Sequence, residues 1–309
     1  MLPDPIEEAI EEARRRQAIA DRDTSDSVNH FASSVRAVCR RWNLTAQRWL
    51  PGGAGAPTLA VTGVDGTAGV LKIAEPGSLD DAVRVMLAAD GQGYARVLCW
   101  DADRGALLTE RLGGDLWTHA ATLVEQAQLV VPLLQLAWRV PLDRGRPFPG
   151  KASGLLDILA DLGPRYGAHH ADVLARASRY ATELAASERP QVVCHGDPHA
   201  GNVLRRGSGW ALIDPDGFVG ERAYDLGVVL RDGCREIVAA EASRAGAGAS
   251  VLRRACQVAA GLADVDAEQV WRWSFVERVT TGLYLRWFGH HDESASFLGA
   301  ADLLSSRER

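Results

Sequence analysis

VVCHGDPHAGNVL, residues 192–204, packs two histidines, an aspartate and an asparagine into one short loop between apolar flanks. A metal site, a proton-transfer site and a folded turn all use such residues. His195 and His199 are four apart, the spacing of two zinc ligands on a helix. A helix is disfavoured here, because Gly196 and Pro198 lie between them and proline removes an amide donor. The zinc-protease pattern also needs glutamate after the first histidine, where this chain has glycine. His195-Gly-Asp197 further matches half of an iron facial triad, with His290 or His291 as the distant third ligand. That triad sits on an all-β barrel, and most of the sequence after Asp197 reads as helical, so the metal-oxygenase reading is set aside.

Phosphoryl transfer makes different demands. It needs a carboxylate to orient the attacking hydroxyl, oxygen ligands for magnesium, and a cation on the α- and β-phosphates. Asp197 and Asn202 stand in the D-x-x-x-x-N spacing of a kinase catalytic loop. Asp214 follows twelve residues later, at the end of the apolar run Ala211-Leu212-Ile213 and the start of a Pro-Asp-Gly turn. Lys72 lies in Gly-Val-Leu-Lys-Ile, an apolar strand of the N-terminal part, where it would reach towards a cleft. Each feature alone is weak; together, in this order, they are a strong signal.

His195-Gly-Asp197-Pro-His-Ala-Gly-Asn202-Val resembles the catalytic-loop signature of the aminoglycoside phosphotransferase family. The nearer resemblance is to its streptomycin 6-phosphotransferase and hydroxyurea phosphotransferase branch. It rests on Ile213-Asp214-Pro215, Val219-Gly220, Tyr224-Asp225-Leu226, Val64-Asp65-Gly66-Thr67…Leu71-Lys72 and the run Gly105–Leu112. The likeness covers roughly residues 40 to 240 and is more specific for fold than for substrate. It implies an α+β, two-lobed protein-kinase-like fold, with a small β-rich N-lobe and a larger, mainly helical C-lobe. The resemblance also implies ATP and magnesium as cofactors. Asp197 would orient the acceptor hydroxyl, Asn202 and Asp214 would bind magnesium, and Lys72 would hold the α- and β-phosphates. The backbone of Glu110, Arg111 and Leu112 would receive adenine. Asp225 would brace the loop, while His195 and His199 would hold its shape. Asp216 reads as a solvated turn residue.

Two features depart from the kinase pattern. No glutamate occurs between Glu75 and Glu110 to pair with Lys72, which leaves Asp80 or Asp81 as candidates. The phosphate-covering stretch Pro51–Pro57 is glycine-rich without a regular G-x-G-x-x-G. A protein kinase is disfavoured: only ten residues separate Asp214 from Asp225, too few for a long activation segment, and His-Gly-Asp replaces His-Arg-Asp. Gly145-Arg-Pro-Phe-Pro-Gly-Lys151 has P-loop spacing, but Ala152 replaces the magnesium-binding Ser/Thr and two prolines remove phosphate-cradling amides. Lys151 therefore reads as a solvated loop lysine.

The pattern around these motifs predicts helices at 5–20 and 25–42, strands at 58–63, 68–73, 95–100 and 106–110, and a helix at 79–90. Asp65-Gly66 marks the first hairpin turn. Beyond Gly113-Gly114, helices are expected at 116–138, 153–162, 168–187, 221–242, 248–261, 266–288 and 293–305, interrupted by a strand near 192 and a hairpin through Gly207–Gly209. The domains are thus read as 1–112, N-terminal helices plus a β-rich nucleotide-binding lobe, and 113–309, the catalytic and acceptor-binding lobe.

The 309 residues carry a net charge of −6, which argues against a nucleic-acid binder. From Asp214 to Asp302 there are fourteen Asp and Glu against nine Arg, a balance that favours a cationic partner or is an ordinary acidic surface. Five scattered cysteines without a CxxC pair argue against a disulfide framework, and no run of eighteen apolar residues suggests a membrane span. A reduced, cytoplasmic, soluble protein is expected. Among 34 basic residues only Lys72 and Lys151 are lysine, which singles out Lys72 as a site wanting a compact ammonium.

The acceptor is expected to be a small hydroxyl compound, a cationic streptomycin-like aminoglycoside being the leading candidate. Glu221, Asp232, Glu236, Glu277, Asp292 and Glu293 are the candidate carboxylates of an acidic wall. The aromatic group Trp271, Trp273, Phe275, Tyr284, Trp287 and Phe288 reads as core packing or as a pocket lining. A kinase of a sugar or amino alcohol shares every catalytic feature. A non-catalytic kinase-like nucleotide-binding protein would have no need of the complete Lys72, Asp197, Asn202 and Asp214 set.

Overall fold

The computed structural model describes residues 4–19, 25–50, 57–120, 122–147, 150–186 and 188–305. Most of the glycine-rich stretch Pro51–Pro57 lies outside them. The chain divides into two compact units, Met1–Gly91 with Ala95–Leu112, and Gln92–Tyr94 with Gly113–Arg309.

The first unit begins with helices α1 (Pro5–Ile19) and α2 (Ser25–Arg41). Strands β1 (Leu44–Trp49), β2 (Thr58–Gly63) and β3 (Ala68–Ile73) follow, then α3 (Asp80–Ala89), β4 (Val97–Asp101) and β5 (Ala106–Glu110). The strands form one antiparallel sheet in the order β1-β2-β3-β5-β4. Leu59, Val61, Leu71 and Ile73 bury one face against Ile6, Ile10, Phe31, Val35 and Val38 of the two helices. Because side chains alternate along a strand, Lys72 points from the other face of β3, half-buried and in register with Thr58 and Leu107. At the β4–β5 connection Gly105 has φ +54°, and a Cβ there would lie 2.1 Å from the Ala74 carbonyl oxygen. Only glycine fits that approach.

Strand β1 was not expected from sequence. It is an edge strand with a bulge between Ala46 and Arg48, which breaks the apolar alternation that would reveal it.

The second unit contains α4 (Leu123–Ala137), α5 (Lys151–Tyr166), α6 (Ala171–Ala185), β6 (Gln191–Cys194), β7 (Val203–Arg206), β8 (Gly209–Leu212) and β9 (Phe218–Glu221). Five further helices complete it: α7 (Arg222–Arg231), α8 (Cys234–Ser243), α9 (Ala247–Ala263), α10 (Ala267–Trp287) and α11 (His291–Ser305). Helix α10 packs against α5, α6, α7, α9 and α11. Its residues Val270, Trp271, Trp273, Phe275, Val276, Val279 and Leu283 are buried, so these aromatics are core. Tyr284, Trp287 and Phe288 instead cluster at its less buried end.

Several expected helices are resolved differently. The segment 116–138 splits into a short turn at Leu116–Thr118 and α4, because Thr122 starts a new helix. Its hydroxyl accepts from the Glu125 amide at 3.2 Å and the Glu125 carboxylate accepts from the Thr122 amide at 3.0 Å, a capping box. The stretch 221–242 is α7 and α8, broken at Asp232-Gly233, and the strand β9 before it was not expected. Among the described residues, no helix is long and apolar enough to cross a membrane, and the five cysteines are free thiols.

Candidate active site

Strands β6 and β9 pair antiparallel, as do β7 and β8, and the loop 195–202 runs between the two ladders. A dense set of hydrogen bonds fixes its shape. Asp225, wholly buried in the first turn of α7, accepts from the His195 amide at 2.9 Å, the Gly196 amide at 2.9 Å and the Trp138 indole at 2.8 Å. Burial raises its carboxyl to about 6 against the lowering effect of these donors. Gly196 takes φ +96°, and a Cβ there would lie 2.5 Å from Cβ of Asp216, so the turn admits only glycine.

His195 is also fully buried, stacked on Tyr94 with ring centroids 5.7 Å apart. Burial lowers its pKa to about 4. The ring is therefore neutral near pH 7, and its tautomer follows from its partners. Nδ1 accepts from the Asp197 amide at 3.2 Å, so Nε2 carries the proton and donates to the Ile213 carbonyl at 2.9 Å. One ring thus ties the residue before Asp214 to the residue bearing Asp197. This is the loop-shaping role expected of it, and it leaves no nitrogen for a metal.

Asp197 stands at the loop surface. Its Oδ1 lies 3.1 Å from Nη1 of Arg231, the last residue of α7, without accepting a hydrogen bond of good geometry. That oxygen is itself buried, while the side chain as a whole is 38% exposed. His199 Nε2 lies 3.5 Å from Oδ2, while His199 Nδ1 accepts from the Gly201 amide at 3.1 Å. Burial pushes the Asp197 carboxyl up, but Arg231, then His199 and His195, more than offset this and hold it below the usual range. The carboxylate stays ionised near neutral pH. Arg231 also bonds Asp232 at 2.8 Å and lies 3.8 Å from Glu277.

Asn202 and Asp214 form the other side of the loop. The Asn202 amide nitrogen donates to the Asp197 carbonyl at 2.9 Å, which commits that nitrogen to the loop. The Ile213 amide donates to the Asn202 carbonyl at 3.0 Å, tying Asp214 to Asn202 through the backbone. Asp214 itself has φ +55°, an uncommon conformation for a non-glycine residue. An amide oxygen and a carboxylate suit magnesium, which takes one or two protein oxygens and completes its shell with water and phosphate. Among the described residues no group of three or more His, Cys, Asp or Glu is placed to hold a metal by itself.

Glu110, Arg111 and Leu112 lie in the first unit. The Glu110 amide donates to the Arg96 carbonyl and its carboxylate accepts from the Arg96 amide at 2.7 Å. The Arg111 amide donates to the Ala68 carbonyl. Of the two candidate partners of Lys72, Asp81 pairs with Arg84 at 2.7 Å.

The carboxylates read as an acidic wall are largely engaged within the chain. Glu221 accepts from the Trp273 indole at 2.6 Å, Glu236 from the Leu123 amide at 2.7 Å, and Glu277 from the Tyr224 hydroxyl at 2.7 Å. Asp232 is paired with Arg231, and Glu293 lies 3.3 Å from His290. Lys151 is no solvated loop lysine. It is the first residue of α5, and its ammonium lies over the rings of Phe218 and Tyr224, at 5.3 and 5.0 Å, and 4.0 Å from Glu277. Sequence reasoning also missed Arg231, whose contact with Asp197 spans 34 positions and leaves no local pattern.

An ionised aspartate on a braced loop, with Asn202 and Asp214 tied to that loop by hydrogen bonds, and a five-stranded antiparallel sheet in the other unit fit a kinase-like α+β phosphotransferase fold. A similar fold occurs in the structure of a thermostable mutant of aminoglycoside phosphotransferase APH(4)-Ia, in ternary complex with AMP-PNP and hygromycin B. The TM-score is 0.59 at 14% identity, over 89% of this chain and all of that one. The chain belongs to the aminoglycoside/hydroxyurea antibiotic resistance kinase family, whose pattern it matches over residues 41–289. It is 32% identical over 216 residues to the hydroxyurea phosphotransferase of Kitasatospora aureofaciens, covering 67% of this chain and 63% of that protein. It is 37% identical over 159 residues to the streptomycin 3''-kinase of Klebsiella pneumoniae, covering 50% of this chain and 58% of that protein. The chain thus spans about six tenths of the length of these two curated relatives.

Proposed function

We propose that this chain is a cytoplasmic O-phosphotransferase that moves the γ-phosphoryl of ATP to a hydroxyl of a small molecule, with a streptomycin-like aminoglycoside as the leading acceptor. The observation that carries the reading is the Asp197 carboxylate, held ionised by Arg231 on a loop whose hydrogen bonds tie it to Asn202 and, through Ile213, to Asp214. In the reaction, the acceptor oxygen forms a bond to the γ-phosphorus as the bond to the β-phosphate bridging oxygen breaks, and ADP leaves. Asp197 orients the hydroxyl and receives its proton. Arg231 keeps Asp197 a weak base, which suits a loose transition state in which positioning matters more than proton abstraction.

Asn202 and Asp214 would hold magnesium, which when bound supplies charge neutralisation at the phosphates. Lys72, in the β-rich unit, is assigned the α- and β-phosphates. The Glu110 and Arg111 amides are spent inside their own unit, so Leu112 is assigned as the backbone donor to adenine.

Acceptor-dependent ADP release from MgATP tests the reading. Streptomycin or hydroxyurea should stimulate release by the native chain, and Asp214→Ala should abolish both the release and magnesium-dependent ATP binding. Unchanged MgATP affinity in Asp214→Ala would remove the metal assignment.

A further inference from the structure

The ammonium of Lys151 sits in a site built for a cation. The faces of Phe218 and Tyr224 lie 5.3 and 5.0 Å away, and the buried Glu277 carboxylate lies 4.0 Å away. Aromatic faces and a carboxylate are what an ammonium or guanidinium of a ligand would seek. The site is reachable from solvent. Lys151 lines a pocket of about 110 Å³ together with Phe218, Tyr224, Glu221, Trp273 and Arg189. The lysine thus borders both the pocket and that carboxylate.

The cage is joined to the reacting centre by short steps. Glu277 lies 3.8 Å from Arg231, which lies 3.1 Å from Asp197. The Tyr224 hydroxyl lies 2.7 Å from Glu277 and 3.1 Å from the carbonyl of Gly196, the residue before Asp197. A small acceptor with its hydroxyl at Asp197 would therefore place its flank near this pocket.

We propose that Lys151 is a specificity-determining residue, filling with its own ammonium an aromatic–carboxylate cage that would otherwise take a cationic group of the acceptor. The proposal rests on the phosphotransferase reading and names the charge that reading's acceptor must compete with. An acceptor bearing an ammonium or guanidinium at this flank has to displace Lys151 or stand off from it, whereas a neutral acceptor meets no such opposition. The side chain is a quarter exposed, so displacing it into water costs little rearrangement of the core.

The test is calorimetric titration of native, Lys151→Met and Lys151→Arg proteins with streptomycin and, in parallel, hydroxyurea. Methionine keeps the stem and removes the charge; arginine keeps the charge. Lys151→Met should bind streptomycin about tenfold tighter than the native chain, the scale of one partly desolvated cation–π contact. Lys151→Arg should show no such gain, and hydroxyurea affinity should be the same in all three. Streptomycin affinity equal or weaker in Lys151→Met, including no binding at all, overturns the proposal. So does an equal gain for hydroxyurea, which would mean that the pocket had merely widened. Turnover with MgATP, measured separately on the native chain, reports on the phosphotransferase reading, so the two can fail independently.

Discussion

His195 and Asp225 are buried together, hydrogen-bonded to one another's neighbourhood, and displaced in opposite directions on the pH scale. His195 has a native pKa of about 4 against 6.5 unfolded, so its contribution is complete above 6.5 and is lost as pH falls towards 4. Asp225 has a native pKa of about 6 against 3.8, so its contribution is complete below 3.8 and is lost as pH rises through 6. Between these limits the two slopes oppose. His195→Gln can still donate to the Ile213 carbonyl but does not titrate. It should be less stable than the native chain at about pH 7.5, and the gap should shrink at about pH 5, where the histidine protonates on unfolding. Urea titrations at the two values read this directly; a gap that stays constant or grows would mean that His195 is not held neutral. At this scale the sequence shows which residues lie together wherever they are local: Asp197, Asn202 and Asp214 share one loop and the turn after it. Arg231, Glu277 and the cage around Lys151 were not legible, because each contact joins residues far apart in the chain. The Pro-Phe-Pro-Gly run before Lys151 also looks like a loop and hides the start of α5.

Helix α7 is the element on which the loop depends, since it carries Tyr224, Asp225 and Arg231. It packs against α10, and Gly227 lies in that contact. A Cβ there would lie 2.5 Å from Cβ of Trp273 and 2.8 Å from the Ser274 backbone nitrogen, in a part of the core with no room to give. Gly227→Ala should cost about 1–3 kcal/mol of stability and should lower turnover as well, because α7 must shift to accept the methyl. Chemical denaturation and initial rates on the same protein check both; unchanged stability would show that the packing is looser than these distances require. The helices were legible from apolar periodicity, including α10, although nothing in its sequence says that it would be buried nearly all round. The strands β1 and β9 were not, being short or bulged and stabilised by partners elsewhere in the chain.

At the scale of the whole molecule, the proposed chemistry needs residues from both compact units, Lys72 from one and Asp197, Asn202 and Asp214 from the other. Lys72→Met removes the cation assigned to the phosphates, in a strand whose buried residues Leu71 and Ile73 face the other way. It should raise KM for ATP by about tenfold or more, while KM for the acceptor changes little. Equal effects on both would point to a general folding defect, and no effect would remove Lys72 from the phosphate site. The two-part organisation showed in the sequence as a change from period-two to helical patterning near Gly113-Gly114. The pocket beside Lys151 did not, because it is assembled from the start of α5, the strand β9 and the core helix α10, which no single stretch reveals.

The central claim is that Asp197 directs a phosphoryl group from ATP onto a small acceptor. Mass spectrometry of streptomycin and hydroxyurea, each incubated with MgATP and either the native chain or Asp197→Ala, tests it most directly. The account predicts a gain of one phosphoryl group on an acceptor with the native chain, and a rate lower by roughly a hundredfold to ten-thousandfold with Asp197→Ala. Phosphorylation that proceeds undiminished without Asp197 would contradict it, as would a native chain that binds MgATP and acceptor yet leaves both unchanged.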